Sequence, residues 1–315
     1  TQNLKQSGEG IFAMVTALGG QLRPATEEAM QHISENALFF AEHTVGADES
    51  ISKPHSENTT RQWLQKGAYA WEAVKSITLL NEEGMSRLEK FLPRTEHPLI
   101  YVINPMGWQR SGTVEIFVGY EIMPIDKKFN VVDIASGNTV PAQLLRKRPE
   151  GAYWILEVKD IPAMGAKPFR VDITGNEQQP VAAVKKEIIE NQYYKILVDK
   201  NTGALSSLFD KQLQQELVDN SGKWKLAQLI HETIPNRDNM TPSHTAASNI
   251  AIDSVRENVL WQSIKINSDL TGFEKGKEND PKGITLEIRL YRNEKKVEFK
   301  FSARKEIVTS PEALY

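Results

Sequence analysis

Residues Tyr193–Val218 read YYKILVDKNTGALSSLFDKQLQQELV. Tyr194, Ile196 and Val198 alternate with Lys195, Leu197 and Asp199, which is the two-residue period of a half-buried strand. Asp199-Lys200-Asn201-Thr202-Gly203 supplies turn chemistry, and Gly203 can take a positive φ. Ala204–Phe209 predicts the return strand, and Asp210-Lys211 its stop. The stretch is therefore a β-hairpin, and the segments around it carry the same signal.

Downstream, IAIDSV, LWQSIKI, ITLEIRLY and KVEFKFS alternate in the same way, the last two joined through Arg292-Asn293-Glu294-Lys295. Alternation at Val297, Phe299 and Phe301 runs almost to EALY, which predicts a sheet that needs more chain to be complete. Upstream, LIYVIN, TVEIFVG, NVVDI, TVPAQLL, YWILEV and FRVDI are short strands. Asn104-Pro105, Ser136-Gly137-Asn138, Pro149-Glu150-Gly151 and Met164-Gly165 lie between them. Turns at intervals of about 8–12 residues predict an antiparallel β-sandwich.

Before Leu99 the period changes. Met30, Ile33, Ala37, Phe40 and Thr44 step by three and four, and Trp63, Gly67, Ala70, Val74 and Ile77 do so again, with Trp71 widening the stripe as a large buried contact. These are helices, with Gly46 as a stop for the first and Pro93 ending a further helix or continuation over 81–92. Residues 1–24 contain glycine and little pattern. The expected class is α+β and multidomain. A helical bundle at 1–95 is followed by a small antiparallel β-sandwich at 96–180 and the first part of a large β-sandwich at 181–315.

The chain has 315 residues, 40% hydrophobic and 25% charged, with a net charge of −3. That is an ordinary globular composition with room for two or three domains. Neither nucleic acid nor an anionic membrane is favoured as a partner. Arg146-Lys147-Arg148 and Lys295-Lys296 are short and sit beside turns. No apolar run reaches the ~18 residues of a membrane-spanning helix, and TQNLKQSGEG has no signal-peptide pattern. A soluble protein is expected. A periplasmic or secreted location stays open, because an upstream signal could have been removed. The absence of cysteine excludes disulfides, thiolate chemistry and Cys-based zinc sites.

Catalytic candidates are few, and no residue is assigned to catalysis or to cofactor binding. Among 41 Asp and Glu, nothing in the sequence pairs two as acid and base; Asp48-Glu49 are local candidates whose plainer reading is surface charge. There is no His-Glu-x-x-His, no Gly-rich phosphate loop and no Gly-x-Ser-x-Gly elbow. Of the six histidines, His55 in His-Ser-Glu, His97, His231 and His244 read as loop or structural residues. His43 stands apart, in the last turn of a striped helix behind Phe39 and Phe40. A helix C-terminus alone accounts for it. Trp108, Trp154, Trp224 and Trp261 could stack on sugars, with core packing the commoner role.

Three segments resemble glycoside hydrolase family 38, the α-mannosidases. The Tyr193–Val218 hairpin is similar to the opening of that family's large β-domain. Val102-Ile103-Asn104-Pro105, Trp108 and Arg110-Ser111 resemble its Val-x-Asn-Pro…Trp…Arg segment. Phe40-Ala41-Glu42-His43-Thr44-Val45 through Ser50-Ile51 is similar to its Phe-His-Asp helix segment. The resemblance implies an order of catalytic barrel, helical bundle and β-domains, here without the barrel, and a galactose-mutarotase-like supersandwich at the end. It also implies a retaining, zinc-dependent hydrolase acting on mannose-containing glycans, with His43 as the bundle-borne zinc ligand. The other ligands and the nucleophile would belong to the barrel, so this chain alone is expected neither to hold zinc tightly nor to hydrolyse glycosides. Thr44 replaces the family's Asp, and Gly46, Ala47 and Asp48 replace its Leu-Pro-Gly. These departures imply a divergent branch of bacterial type. The competing reading is a non-catalytic carbohydrate-binding or scaffold protein of the same architecture.

Overall fold

A computed structural model describes residues 2–42, 49–50, 52–93, 95–175, 183–184, 187–235, 238, 240–253, 255–273, 284–305 and 311–315. The chain divides into two units, residues 1–178 and 179–315. Within the described residues the class is α+β, with helices confined to the first unit and antiparallel strands in both.

The first unit opens with α1 (Gln2–Ala17), α2 (Pro24–Ala41) and α3 (Glu57–Glu89). Pro24 starts α2, where its missing N–H costs nothing. Ser56 caps α3 by accepting the Thr59 N–H at 3.2 Å. Residues 81–89 continue α3, which is a single helix of 33 residues ending at Glu89, and 90–92 form a turn beyond it. Phe12, Ile33, Ile77 and Leu80 interlock the three helices.

Two features depart from the sequence pattern. The first is α1 itself, where glycine masks a helix. A Cβ at Gly8 would lie 2.5 Å from Asn81 Oδ1, and one at Gly10 would overlap the Pro105 carbonyl. These glycines permit close packing at the expense of helix propensity. The second is the buried line of α3, which runs through Ala73, Ile77, Leu80, Gly84 and Leu88. Trp63 and Trp71, expected in the core, are 48% and 75% exposed. Among the described residues the buried apolar contacts of α3 with α1 and α2 fall at Ile77, Leu80 and Leu88, in its C-terminal part. Periodicity marks a face but not how far the cover extends.

Seven strands complete this unit: β1 (Leu99–Asn104), β2 (Arg110–Gly119), β3 (Lys128–Asp133), β4 (Thr139–Val140), β5 (Ala142–Lys147), β6 (Gly151–Ile161) and β7 (Gly165–Gly175). They form two antiparallel sheets, ordered β1-β7-β3-β4 and β2-β6-β5. Val102, Val131 and Phe169 of one face Val118, Trp154 and Leu156 of the other, which makes a sandwich core. Ile103 of β1 packs on Ile11, Met14, Val15 and Leu88, seating the helices on the sandwich. The Asn104 amide donates to the carbonyls of Trp108 (2.7 Å), Ile161 (3.3 Å) and Pro162 (3.0 Å), while its oxygen accepts the Met106 N–H at 3.2 Å.

The second unit holds β8 (Ala183–Val184), β9 (Ile188–Glu190), β10 (Tyr194–Val198), β11 (Leu205–Asp210), β12 (Gln215–Glu216), β13 (Ile230–Thr233) and β14 (Ser243–Ala246). It continues with β15 (Ser248–Ile252), β16 (Val255–Glu257), β17 (Trp261–Asp269), β18 (Ile284–Tyr291), β19 (Val297–Ala303) and β20 (Glu312–Leu314). The hairpin of the opening stretch is β10–β11. Gly203 takes φ +69°, and its N–H bonds the Asp199 carbonyl at 2.8 Å. The sheets run β12-β11-β10-β9, β19-β18-β17-β16-β8 with β15 also on β17, and β14-β13-β20. Ile189, Ile196, Val198 and Leu205 of the first pack on Ile264, Ile266, Leu286 and Ile288 of the second.

Candidate functional site

The helical end nearest the expected metal ligand carries an apolar surface. Leu38, Phe39 and Phe40 at the end of α2, and Trp63, Leu64, Tyr69 and Trp71 in the first half of α3, are all exposed. Phe39 stacks on Tyr69 with ring centroids 5.4 Å apart. Between these helices Glu49 pairs with Lys53 at 2.8 Å. The Thr59 hydroxyl donates to the Lys53 carbonyl at 2.9 Å, fixing the entry to α3. His43, Thr44, Gly46, Ala47, Asp48 and Ile51 lie outside the described residues. Seven exposed large side chains on these two helices exceed the scattered apolar exposure of an ordinary surface.

The second unit contains a cleft of about 670 Å³. Leu286, Phe299 and Phe301 form its floor, and Trp224, Leu226, Leu229, Leu314 and Tyr315 its walls. Polar groups gather at one rim. His244 Nε2 lies 2.7 Å from Glu232 Oε2, and the Tyr315 hydroxyl donates to Glu232 Oε1 at 3.3 Å. The Trp224 ring tilts against His244 at 5.7 Å. Glu232 thus has both oxygens engaged, and the cleft interior is apolar.

His231 is the neighbour of Glu232 on β13 and points to the opposite face. It is buried, with Nε2 2.7 Å from Glu312 Oε2, and Lys305 Nζ reaches Glu312 Oε1 at 2.6 Å. Burial pushes the Glu312 carboxyl up, but the bonds from Lys305 and His231 outweigh it and hold the group below the usual carboxylate range. Phe273 meets the His231 ring edge-on at 6.0 Å, and Gly272 turns beside it with φ +81°. The pair, buried on the His231 side and partly exposed at Glu312, ties β13 to β20.

The remaining sequence candidates separate. His55 and His97 are exposed. Trp154 and Trp261 are core residues, Trp108 is exposed, and Trp224 borders the cleft. Among the described residues no group of three or more His, Asp or Glu could hold a metal ion. The described residues therefore do not by themselves fit a zinc centre. Glu232, Glu312 and Tyr315 were not among the sequence candidates. Their partners come from distant strands, and no local pattern announces them.

Comparison with known proteins gives two findings. Residues 189–311 match the family described as "Glycosyl hydrolases family 38 C-terminal domain". The fold is similar to that of an alpha-mannosidase from Enterococcus faecalis V583, at 13% identity and a TM-score of 0.64, covering 98% of this chain and 41% of that one. It is likewise similar to a protein in glycosyl hydrolase family 38 from Enterococcus faecalis, at 14% identity and a TM-score of 0.62, covering 98% and 44%. No curated protein sequence matches the chain. The chain spans less than half the length of these two structures, and at such identity the likeness establishes the fold. The family match, by contrast, rests on sequence and bears out the family 38 resemblance over the second unit.

Proposed function

We propose that these residues are the helical and β-rich portion of a longer, retaining, zinc-dependent α-mannosidase-like hydrolase that cleaves α-mannosidic bonds in glycans. Residues 1–95 would be its helical bundle, 96–180 its small sandwich and 181–315 the first part of its large β-domain. The family match over 189–311 carries this reading. The apolar helical end at Leu38, Phe39, Trp63 and Trp71 supports it, because that end has the character of a face that packs on another domain. A barrel seated there would lie beside the segment that carries His43. His43 would give the zinc one ligand, where such sites need three or four, so the others would come from the barrel. Zinc when bound would supply Lewis acidity and orientation.

The test is hydrolysis of an aryl α-mannoside by the full-length protein, with and without chelator. Activity that a chelator abolishes, and that His43→Ala lowers by orders of magnitude with the fold intact, is the expected result. Full activity in His43→Ala would overturn the ligand role. Absence of hydrolysis across aryl glycosides, with retained binding of mannose-containing glycans, would favour the second reading, a non-catalytic carbohydrate-binding or scaffold protein. Thr44 in place of the family's Asp is the observation on that side.

A further inference from the structure

Where the chain passes from β1 to β2 it presents Trp108, Gln109 and Arg110 in succession, all three exposed. Trp108 is 59% exposed. Among the described residues its indole meets no other ring, no cation and no hydrogen-bond partner, and Arg110 has no carboxylate partner. One exposed tryptophan is ordinary surface. The backbone beneath this one is not ordinary.

The Asn104 amide holds the Trp108 carbonyl and also the carbonyls of Ile161 and Pro162. The Met164 N–H donates to the Met106 carbonyl at 2.8 Å, and the Asp160 N–H to Ser111 Oγ at 2.9 Å. The Gln109 amide donates to Asp160 Oδ1 at 2.8 Å. The segment is thus fastened along its length to the turn between β6 and β7. That turn is strained. Arg110 pairs with Ile161 and Gly112 with Val158, so Lys159 and Asp160 both oppose Ser111 in a β-bulge. Asp160 takes φ +55° and Met164 φ +46°, a region that is costly for a side chain such as methionine. Strain of this kind persists where its surroundings enforce it, and it collects at ligand sites.

A rigidly held indole with a polar fringe fits a sugar. One face of a pyranose is lined with C–H groups that pack on an aromatic ring, and its hydroxyls need both acceptors and donors. Asp160 Oδ2 accepts no bond among the described residues, so an acceptor stands open on the residue bonded to Gln109. Arg110 brings a fork of donors. An apolar ligand would use only the ring, and a bare ion only the fringe. Because the backbone is already fixed, little ordering remains to be done on binding.

We propose that Trp108, with Asp160 and Arg110 beside it, is a saccharide-binding platform that takes a pyranose of a mannose-containing glycan. Trp108 stacks on the ring, Asp160 accepts from hydroxyls and Arg110 donates to sugar oxygens. The identity of the sugar as mannose rests on the proposed function.

Native electrophoresis of the full-length protein through gels containing soluble mannan tests it. Mannan should retard the parent, and Trp108→Ala should raise the apparent dissociation constant at least about fivefold, with Trp108→Phe in between and the melting temperature unchanged. Arg110→Ala should raise it about threefold or more. Equal retardation of the parent and Trp108→Ala would overturn the proposal, as would a parent that mannan does not retard. A Trp108→Ala variant that binds mannan like the parent but differs from it in apparent mass by size exclusion would make this segment a protein contact and overturn it too. Trp108-dependent retardation in a protein that hydrolyses no aryl α-mannoside would remove the hydrolase reading and leave the platform standing. Hydrolysis without Trp108-dependent retardation would remove the platform alone.

Discussion

The buried carboxylate of Asp210 meets Lys295 Nζ at 2.8 Å, tying the end of β11 to the turn between β18 and β19. The other Asp210 oxygen accepts the N–H groups of Gln212 (2.9 Å) and Leu213 (3.0 Å). The Lys295 bond first, and the backbone bonds after it, hold the carboxyl below its ordinary value. The folded state therefore favours the ionised form. Its contribution is complete above the unfolded carboxyl value of about 3.9 and fades as pH falls through the lower folded value. Asp210→Asn should lower the urea midpoint at pH 7 and then lose less than the parent between pH 5 and pH 3. Parallel acid profiles for the two proteins would refute the assignment.

Two glycines of α3 should respond to alanine with opposite signs. Gly67 has nothing within 4 Å of an added Cβ, whereas at Gly84 that Cβ would lie 2.9 Å from Ile11 Cγ2 and 3.3 Å from Phe12 Cε2. Gly67→Ala should stabilise by about 0.5–1 kcal/mol through helix propensity. Gly84→Ala should destabilise by about 1–3 kcal/mol through overpacking, less whatever propensity returns. Urea denaturation of both variants decides it, and a shared sign would contradict the packing of α1 on α3.

Gly272→Ala combines two costs. The φ of +81° disfavours any Cβ, and the new methyl would lie 2.9 Å from His231 Cε1. A loss of more than about 1 kcal/mol is expected. Amides of β13 and β20 should show it first in hydrogen exchange. An unchanged melting temperature would mean that the His231–Glu312 clamp yields freely.

The exposed tryptophans should be dispensable to the fold of the chain by itself. Trp63→Ser and Trp71→Ser are each expected to change its stability by less than about 0.5 kcal/mol. The buried Ile77→Ala should cost about 2–5 kcal/mol. In the full-length protein the tryptophan variants should lower the melting temperature clearly, because a packed face would be lost. Equal effects in the two proteins would argue against a domain seated there.

Much of the fold is legible in the sequence where one face of a strand is buried. LIYVIN and ITLEIRLY coincide with β1 and β18, and the Tyr194–Val198 alternation with β10. Legibility fails where a local signal serves a distant partner. Gly8 and Gly10 look like helix breakers and are close-packing positions. Trp71 looks like core because its helix face is apolar, although it is exposed on the folded chain. The cleft was illegible for the same reason. Its walls come from the 224–230 segment, β13, β14, β18, β19 and β20, which only the folded topology brings together.

The four hydrogen bonds of Asn104 bear on how the protein ages. Asparagine side chains convert slowly to aspartate when the backbone nitrogen of the next residue attacks the amide. Here that product would set a carboxylate against three carbonyl oxygens now served by one amide group. The next residue is Pro105, whose ring nitrogen carries no hydrogen, and the attack is blocked. The Asn-Pro pair thus closes that route to aspartate at the joint where the end of β1 is fastened to the loops beside it, and mass spectrometry of aged protein should show no aspartate at position 104.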